Sequence, residues 1–158
     1  MTPRTVVIGI GNPMRGDDGA GVAVAERLRE RVPPGVEVVA CALEPSRLID
    51  AWEGADSVVL VDSVASGAEP GTLHRFDAGD GTVPARVFRS STHAIGIAET
   101  IELARALGRL PRRARVYGVE AESFVPGAPL TEAVDAGADA AVEAILRDLE
   151  EERCTSAR

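Results

Sequence analysis

Apolar residues alternate along the chain between short β-branched runs and longer stripes at helical spacing. The first run, Thr5–Ile10, is typical of a strand that is buried on both faces. After a glycine-rich turn, Val22, Val24, Ala25 and Leu28 follow at the spacing of a helix with one apolar face. Strands that alternate with amphipathic helices favour a mainly parallel sheet with helices on both of its faces.

The same alternation continues along the rest of the chain. The predicted strands are Thr5–Ile10, Val36–Cys41, 57–61, 72–76 and 115–119. The predicted helices follow Gly16–Gly19 and span residues 45–52, 94–107 and 131–152. Because no helix precedes 72–76, we expect this strand to run antiparallel at an edge of the sheet. We therefore predict a single three-layer α/β/α domain over residues 1–152, with a twisted, mostly parallel sheet of about five strands, and a flexible C-terminal tail at 153–158.

Composition limits the partners that this domain can have. The formal net charge of −8 gives a surface that repels nucleic acid and anionic membranes. The two cysteines, Cys41 and Cys154, have neither disulfide-framework nor zinc-site spacing, which is typical of a reducing cytoplasm. No apolar run approaches the roughly 20 residues of a membrane span. We expect a soluble, cytoplasmic monomer that binds neither nucleic acid nor membrane.

Three polar residues fall where the predicted topology should bring them to one edge of the sheet. Asp18 lies in the loop after the first strand, Asp62 follows the third strand, and His93 opens a helix. Ligands of open α/β sheets bind beyond the carboxyl ends of the strands. Two carboxylates and an imidazole suit a divalent transition metal, and they leave coordination positions for water or substrate. The sequence therefore predicts a metal site formed by Asp18, Asp62 and His93.

Each of these residues also has a structural interpretation. Asp17 and Asp18 could cap a helix, and Asp62 could accept hydrogen bonds from backbone amides. His93 could be a surface or capping residue, and we interpret His74 as structural or surface-exposed. Spacing alone leaves both interpretations open.

Two other motifs are weaker. The run 9–14 resembles the start of a dinucleotide-binding fingerprint, but Met14 replaces its third glycine and Pro13 lacks the amide that would face a pyrophosphate. A Ser-His-Asp hydrolase could be assembled from Ser63 or Ser66 with His93. The chain lacks the GxSxG spacing that holds such a serine at a sharp turn.

Further motifs connect these positions to a known family. They are GIGN at 9–12, GDDGAG at 16–21, VLVD at 59–62, PGT at 70–72, TH at 92–93 with Gly96, GV at 118–119 with Glu122 and Ser123, and LT at 130–131. In this order and spacing they resemble the hydrogenase maturation endopeptidases over nearly the whole chain. The resemblance implies a twisted sheet between helices. It also implies removal of a C-terminal peptide from a nickel–iron hydrogenase large-subunit precursor after nickel insertion.

The resemblance makes Asp18, Asp62 and His93 the expected catalytic and metal-binding residues, with nickel supplied by the substrate and other divalent metals able to substitute. Two mechanisms are compatible with it. The metal polarises the scissile carbonyl and activates a bound water, or the metal serves recognition only while Asp17 or Asp18 activates the water. The stretch 40–46 lacks the family's Asp-Gly-Gly-Thr type of block, and Ala121 stands where proline is common. These departures leave open which hydrogenase is served.

Two other functions fit the same residues. One is a non-catalytic maturation chaperone that binds nickel or the precursor on the same fold. The other is a small-molecule hydrolase that uses the same metal. A peptidase shortens the large subunit by a discrete C-terminal fragment, whereas a chaperone leaves its tail intact.

Overall fold

The computed structural model describes residues 3–85 and 96–157. The strands are β1 (Thr5–Ile10), β2 (Val36–Cys41), β3 (Ser57–Val64), β4 (Leu73–Asp77) and β5 (Arg113–Glu120). The helices are α1 (Ala20–Leu28), α2 (Pro45–Ala51), α3 (Ile97–Ala106) and α4 (Glu132–Ser156), and a 3₁₀ turn, Gly16–Gly19, precedes α1. His93 and the predicted start of the third helix at 94 lie outside the described residues.

The strands form one sheet in the order β2-β1-β3-β5-β4. The pairs β1–β2, β1–β3 and β3–β5 are parallel, whereas β4 pairs antiparallel with β5 and occupies one edge. This arrangement confirms the predicted fold class, including the antiparallel edge strand. β4 could take that position because it follows β3 through a turn at 70–71 rather than through a crossover helix.

Two hydrophobic cores lie on opposite faces of the sheet. On one face, α1 and α4 bury apolar residues such as Val24, Leu28 and Ile145. On the other face, α2 and α3 bury residues such as Trp52 and Ile101. The burial of β1 and β3 on both faces explains why they are continuous apolar runs in the sequence.

Most predicted ends lie within two residues of the observed ones, and the ends of β3 and α4 differ by more. β3 continues beyond the predicted end at 61 to Val64, because Asp62, Ser63 and Val64 pair with β5. The polar side chains of Asp62 and Ser63 end the apolar run without interrupting the backbone ladder. α4 continues past 152 to Ser156, so the helix includes most of the predicted tail. Glu152 holds this end of α4 against the sheet, because its carboxylate lies 3.2 Å from the Arg115 guanidinium. Flexibility of residues 153–158 stays a prediction.

In the two described segments, no helix combines the length and the apolar character that a membrane crossing requires.

Candidate active site

The strand order reverses at β1, which has β2 on one side and β3 on the other. Open α/β sheets bind their ligands in the crevice that such a reversal leaves at the carboxyl ends of the strands. The loop after β1 carries Asp18, and β3 carries Asp62 close to its carboxyl end. Two of the three predicted site residues therefore meet at this crevice.

Glycines allow α1 to pack directly on the backbone of the sheet. A Cβ atom on Gly21 would lie 2.3 Å from the carbonyl oxygens of both Ile10 and Val61. A Cβ atom on Gly9 would lie 2.2 Å from the Gly21 carbonyl oxygen. Distances this short leave no room for a side chain at either position. Close packing of α1 on β1 therefore explains Gly9, the first glycine of the run that resembles a dinucleotide-binding fingerprint.

Gly11 brings the loop after β1 back onto Asp18. Its φ of 145° lies in a region that side-chain-bearing residues rarely adopt. A Cβ atom there would lie 1.9 Å from the Asp18 carbonyl oxygen and 3.9 Å from Asp62 Oδ1. The position of Asp18 beside Asp62 therefore depends on a glycine at 11.

Asp18 and Asp62 are both buried, with exposed fractions of 6% and 5%. Asp18 Oδ2 accepts a hydrogen bond of 3.1 Å from the Asn12 amide, and Asp18 Oδ1 accepts a longer one of 3.5 Å from Ser63 Oγ. Asp62 Oδ1 accepts a bond of 2.7 Å from the Ser63 amide. Ser63 thus contacts both carboxylates and links the end of β3 to the loop after β1.

The electrostatic environment of Asp62 disfavours its charged form. Burial raises the pKa of the Asp62 carboxyl well above its ordinary value. The Ser63 amide opposes this pKa shift because its hydrogen bond favours the carboxylate, whereas the negative charge of Asp18 adds to it. A cation bound between the two carboxylates would remove this cost, because it would neutralise both charges.

Asp17 differs from its neighbour because its carboxylate is directed at the segment 122–131. Its Oδ2 accepts bonds of 2.9 Å from the amides of both Glu122 and Ser123, and its Oδ1 accepts one of 2.8 Å from the Thr131 amide. The Thr131 hydroxyl also donates to it, at 2.9 Å from Oδ2. The side chain is fully buried. These contacts join the loop before α1 to the loop before α4.

Within the described residues, no cluster of three histidine, cysteine, aspartate or glutamate side chains has the geometry of a metal site. The third ligand predicted from the sequence, His93, lies in the segment 86–95 outside that description. The pair of Asp18 and Asp62 fits a divalent cation by its donor chemistry, since both groups are carboxylates and one has a raised pKa.

Glu120 is a further buried acid, to which no sequence pattern assigned a role. It ends β5 with an exposed fraction of 1%. Its Oε1 accepts bonds from the Ser66 amide, the Ser66 hydroxyl and the Ala68 amide, and it thereby holds the loop that follows β3. His74 Nε2 lies 3.7 Å from Glu120 Oε2, in accord with a structural role for this histidine. An acid at the carboxyl end of a buried strand is the signal, shared with Asp62, that could have identified Glu120.

Comparison with known proteins identifies the family of this fold and site. The sequence matches the hydrogenase maturation protease (HycI) family over residues 22–148, which is most of the chain. The chain belongs to this family. It is 30% identical over 152 residues to the hydrogenase 2 maturation protease of Escherichia coli K12, covering 94% of this chain and 92% of that protein. It is 32% identical over 154 residues to the hydrogenase expression/formation protein HoxM of Azotobacter vinelandii, covering 94% of this chain and 73% of that protein.

Solved structures of hydrogenase maturation proteases share the fold. The endopeptidase HybD of E. coli superposes with a TM-score of 0.80 at 29% identity, covering 94% of this chain and 93% of that one. The [NiFe] hydrogenase maturation protease HycI of Thermococcus kodakarensis superposes with a TM-score of 0.73 at 30% identity, covering 93% and 92%.

In a hydrogenase maturation protease, the site must support hydrolysis of a peptide bond. This reaction needs a group that accepts a proton from the attacking water. A carboxylate has about four acceptor positions. Within the described residues, backbone amides and a hydroxyl occupy both oxygens of Asp17, whereas Asp62 accepts one hydrogen bond and Asp18 accepts two. Asp18 and Asp62 thus keep acceptor positions for a water or a metal.

Proposed function

We propose that this protein is an endopeptidase that removes the C-terminal extension of a nickel–iron hydrogenase large-subunit precursor after nickel has been inserted. Membership of the hydrogenase maturation protease family supports the reaction class. The single structural observation that carries the proposal is the buried pair of Asp18 and Asp62 at the point where strand order reverses. The net charge of −8 agrees with a protein partner rather than nucleic acid or membrane. We place the activity in the cytoplasm and expect a monomer.

Nickel carried by the precursor is the feature that this site recognises, with Asp18, Asp62 and His93 as its ligands. Without a cation, burial and the charge of Asp18 favour a protonated Asp62. Nickel that arrives with the precursor would shift Asp62 towards its ionised form, because metal ligands must be deprotonated. A precursor that lacks nickel offers no such compensation, and its carboxyl-terminal segment is held less firmly. Cleavage therefore waits for nickel insertion.

Asp18 is better placed than Asp17 to activate the attacking water. The Asp17 oxygens already accept hydrogen bonds from Glu122, Ser123 and Thr131. Asp18 lies at the crevice beside Asp62, and the described residues leave part of its acceptor capacity unused. A metal at the scissile carbonyl would supply Lewis-acid polarisation of that bond.

Mass spectrometry of the large subunit tests this proposal. Nickel-loaded precursor incubated with the wild-type protein should lose a discrete C-terminal fragment. Asp18→Ala, Asp62→Ala and His93→Ala should each reduce the rate at least roughly a hundredfold, the usual scale for removal of an acid, a base or a metal ligand. Asp80→Ala is the matched control, because Asp80 is an exposed aspartate in the loop after β4, and β4 ends beside the start of β5 rather than beside its carboxyl end.

Two outcomes would contradict the proposal. Normal processing by all three site variants would show that these residues are not the reaction centre. A stable complex in which the precursor tail stays intact, with the wild-type protein and nickel present, would indicate a chaperone instead.

A further inference from the structure

Exposed apolar side chains are concentrated at one rim of the crevice. Among the described residues, five large apolar side chains are exposed: Met14, Leu103, Leu107, Phe124 and Val125. Leu103 and Leu107 belong to α3 and its C-terminal end. The other three lie on two loops, with exposed fractions of 69% for Met14, 39% for Phe124 and 57% for Val125. We call Met14, Phe124 and Val125 the apolar platform.

Hydrogen bonds hold the two loops of the apolar platform together. The Gly127 amide donates to the Met14 carbonyl at 2.7 Å, and the Asp17 amide donates to the Ser123 carbonyl at 2.9 Å. A Cβ atom on Gly16 would lie 2.9 Å from the Ser123 carbonyl oxygen and 3.2 Å from the Val125 amide nitrogen. The backbones therefore pack directly against each other, and the platform is formed before any partner arrives.

The apolar platform is continuous with the carboxylates of the site. Asn12 links the two, because its amide donates to Asp18 Oδ2 at 3.1 Å while its side-chain Oδ1 accepts a bond of 2.9 Å from the Met14 amide. The 3₁₀ turn that follows Met14 carries Asp18 itself. A chain whose scissile peptide lies beside Asp18 would therefore pass close to this loop.

We propose that the apolar platform binds an apolar segment of the hydrogenase large-subunit precursor beside the peptide bond that is cleaved. The inference rests on the proposed function and adds a substrate-docking surface to it. Exposed apolar side chains at the rim of a site offer binding energy, and the packed backbones beneath them need no further ordering. We assign the platform to the substrate rather than to a second copy of this chain, since a copy bound at this rim would obstruct the crevice.

Steady-state processing kinetics with nickel-loaded precursor test the docking surface. The triple variant Met14→Ser, Phe124→Ser, Val125→Ser should raise KM roughly tenfold or more, the scale expected for loss of apolar anchors. Its kcat at saturating precursor should stay within about twofold of wild type, because these side chains bind ground state and transition state alike. The control Leu103→Ser, Leu107→Ser removes equally exposed side chains from α3 and should leave both constants unchanged.

The outcomes separate the docking surface from the proposed function. Cleavage by wild type with an unchanged KM in the triple variant, or an equal rise of KM in the α3 control, would overturn the docking surface and leave the peptidase intact. If wild type binds the precursor without cleaving it, binding is measured instead. The Kd of the triple variant should then exceed that of wild type roughly tenfold or more, and the Kd of the α3 control should equal that of wild type. Absence of any binding by wild type would overturn both proposals. A wild-type dimer in sedimentation experiments that the triple variant dissociates would show that a second copy occupies the surface.

Discussion

At the scale of single residues, the acids of this protein differ in how the fold compensates their charge. Asp17 and Glu120 are buried, and several backbone amides and hydroxyls donate to each carboxylate. Asp62 is buried to the same extent, but the described residues give it one short amide bond and a neighbouring negative charge on Asp18. A buried, poorly compensated acid lowers stability, and such groups concentrate at functional sites.

Replacement of Asp62 by asparagine should therefore stabilise the protein while it abolishes processing. The folded-state pKa of Asp62 is raised above its ordinary value. Below the ordinary aspartate pKa this difference does not affect the free energy of unfolding, because the carboxyl is protonated in both states. As pH rises above that pKa, the free energy of unfolding falls, because the unfolded state ionises more readily. Asp62→Asn removes this loss of stability. In a metal-chelating buffer at neutral pH, we expect a gain of about 1 kcal/mol, or roughly 3 °C in Tm.

Thermal denaturation of both proteins at several pH values measures this effect. The difference in Tm should shrink as pH falls through about 4, because below this pH wild-type Asp62 is protonated in both states. Asp80→Asn serves as the control, since Asp80 is exposed and its replacement should shift Tm by less than about 2 °C. An Asp62→Asn variant that is less stable than wild type at neutral pH would contradict the interpretation of Asp62 as an uncompensated acid.

At the scale of elements, the sequence contains enough information to predict most strands and helices but not how the loops meet. Short runs rich in β-branched residues predict β1 and β2 at their observed bounds, since both strands contribute to packed faces of the sheet. The end of β3 was placed too early, because hydropathy does not report the backbone pairing of Asp62 and Ser63 with β5. Topology predicted that Asp18 and Asp62 share an edge. Hydrophobic periodicity could not predict that Asp17 turns away from them, because its partners are amides of the segment 122–131.

The contacts of Asp17 give a testable distinction between a structural and a catalytic role. Asp17→Asn replaces one carboxylate oxygen by an NH₂ group that faces backbone donors, which leaves buried amides unpaired. We expect a loss of about 3 kcal/mol and a fall in Tm of roughly 10 °C. Because Asp17 does not act on the substrate, kcat measured well below the Tm should stay within about threefold of wild type.

The exposed residue Asp80 supplies the control for Asp17 as well. Asp80→Asn should change neither Tm nor kcat appreciably. A variant Asp17→Asn with an unchanged Tm and a kcat reduced by a hundredfold or more would instead assign Asp17 to the reaction, as the water-activating carboxylate considered from the sequence.

At the scale of the whole molecule, one polar network attaches the longest helix to the edge of the sheet. Asp148 of α4 accepts a hydrogen bond from the Tyr117 hydroxyl of β5 and one of 3.1 Å from Arg75 Nε of β4. Arg115 of β5 lies 3.6 Å from the same carboxylate. Because three elements meet at Asp148, ionisation within this network is expected to affect global unfolding rather than one loop.

Alkaline pH provides a direct test of that attachment. Burial, followed by the hydrogen bond to Asp148, raises the pKa of Tyr117 to about 12 from its ordinary value of 10.0. A raised folded-state pKa means that the neutral phenol stabilises the fold fully below about pH 10, and that this contribution is lost as pH rises towards 12. Integration over this interval gives a loss of about 2 kcal/mol by about pH 11.5.

Tyr117→Phe isolates this contribution because it removes the titrating hydroxyl and keeps the ring in the core. Urea unfolding of the variant between about pH 9 and pH 11.5 should show a loss of stability smaller than that of wild type by about 2 kcal/mol. Tyr117 is the single tyrosine of the chain, so the phenolate absorbance of the folded protein reports its pKa without interference. A phenolate transition near pH 10 in the folded protein, or equal losses of stability in both proteins, would show that the bond between β5 and α4 does not hold the phenol in its neutral form.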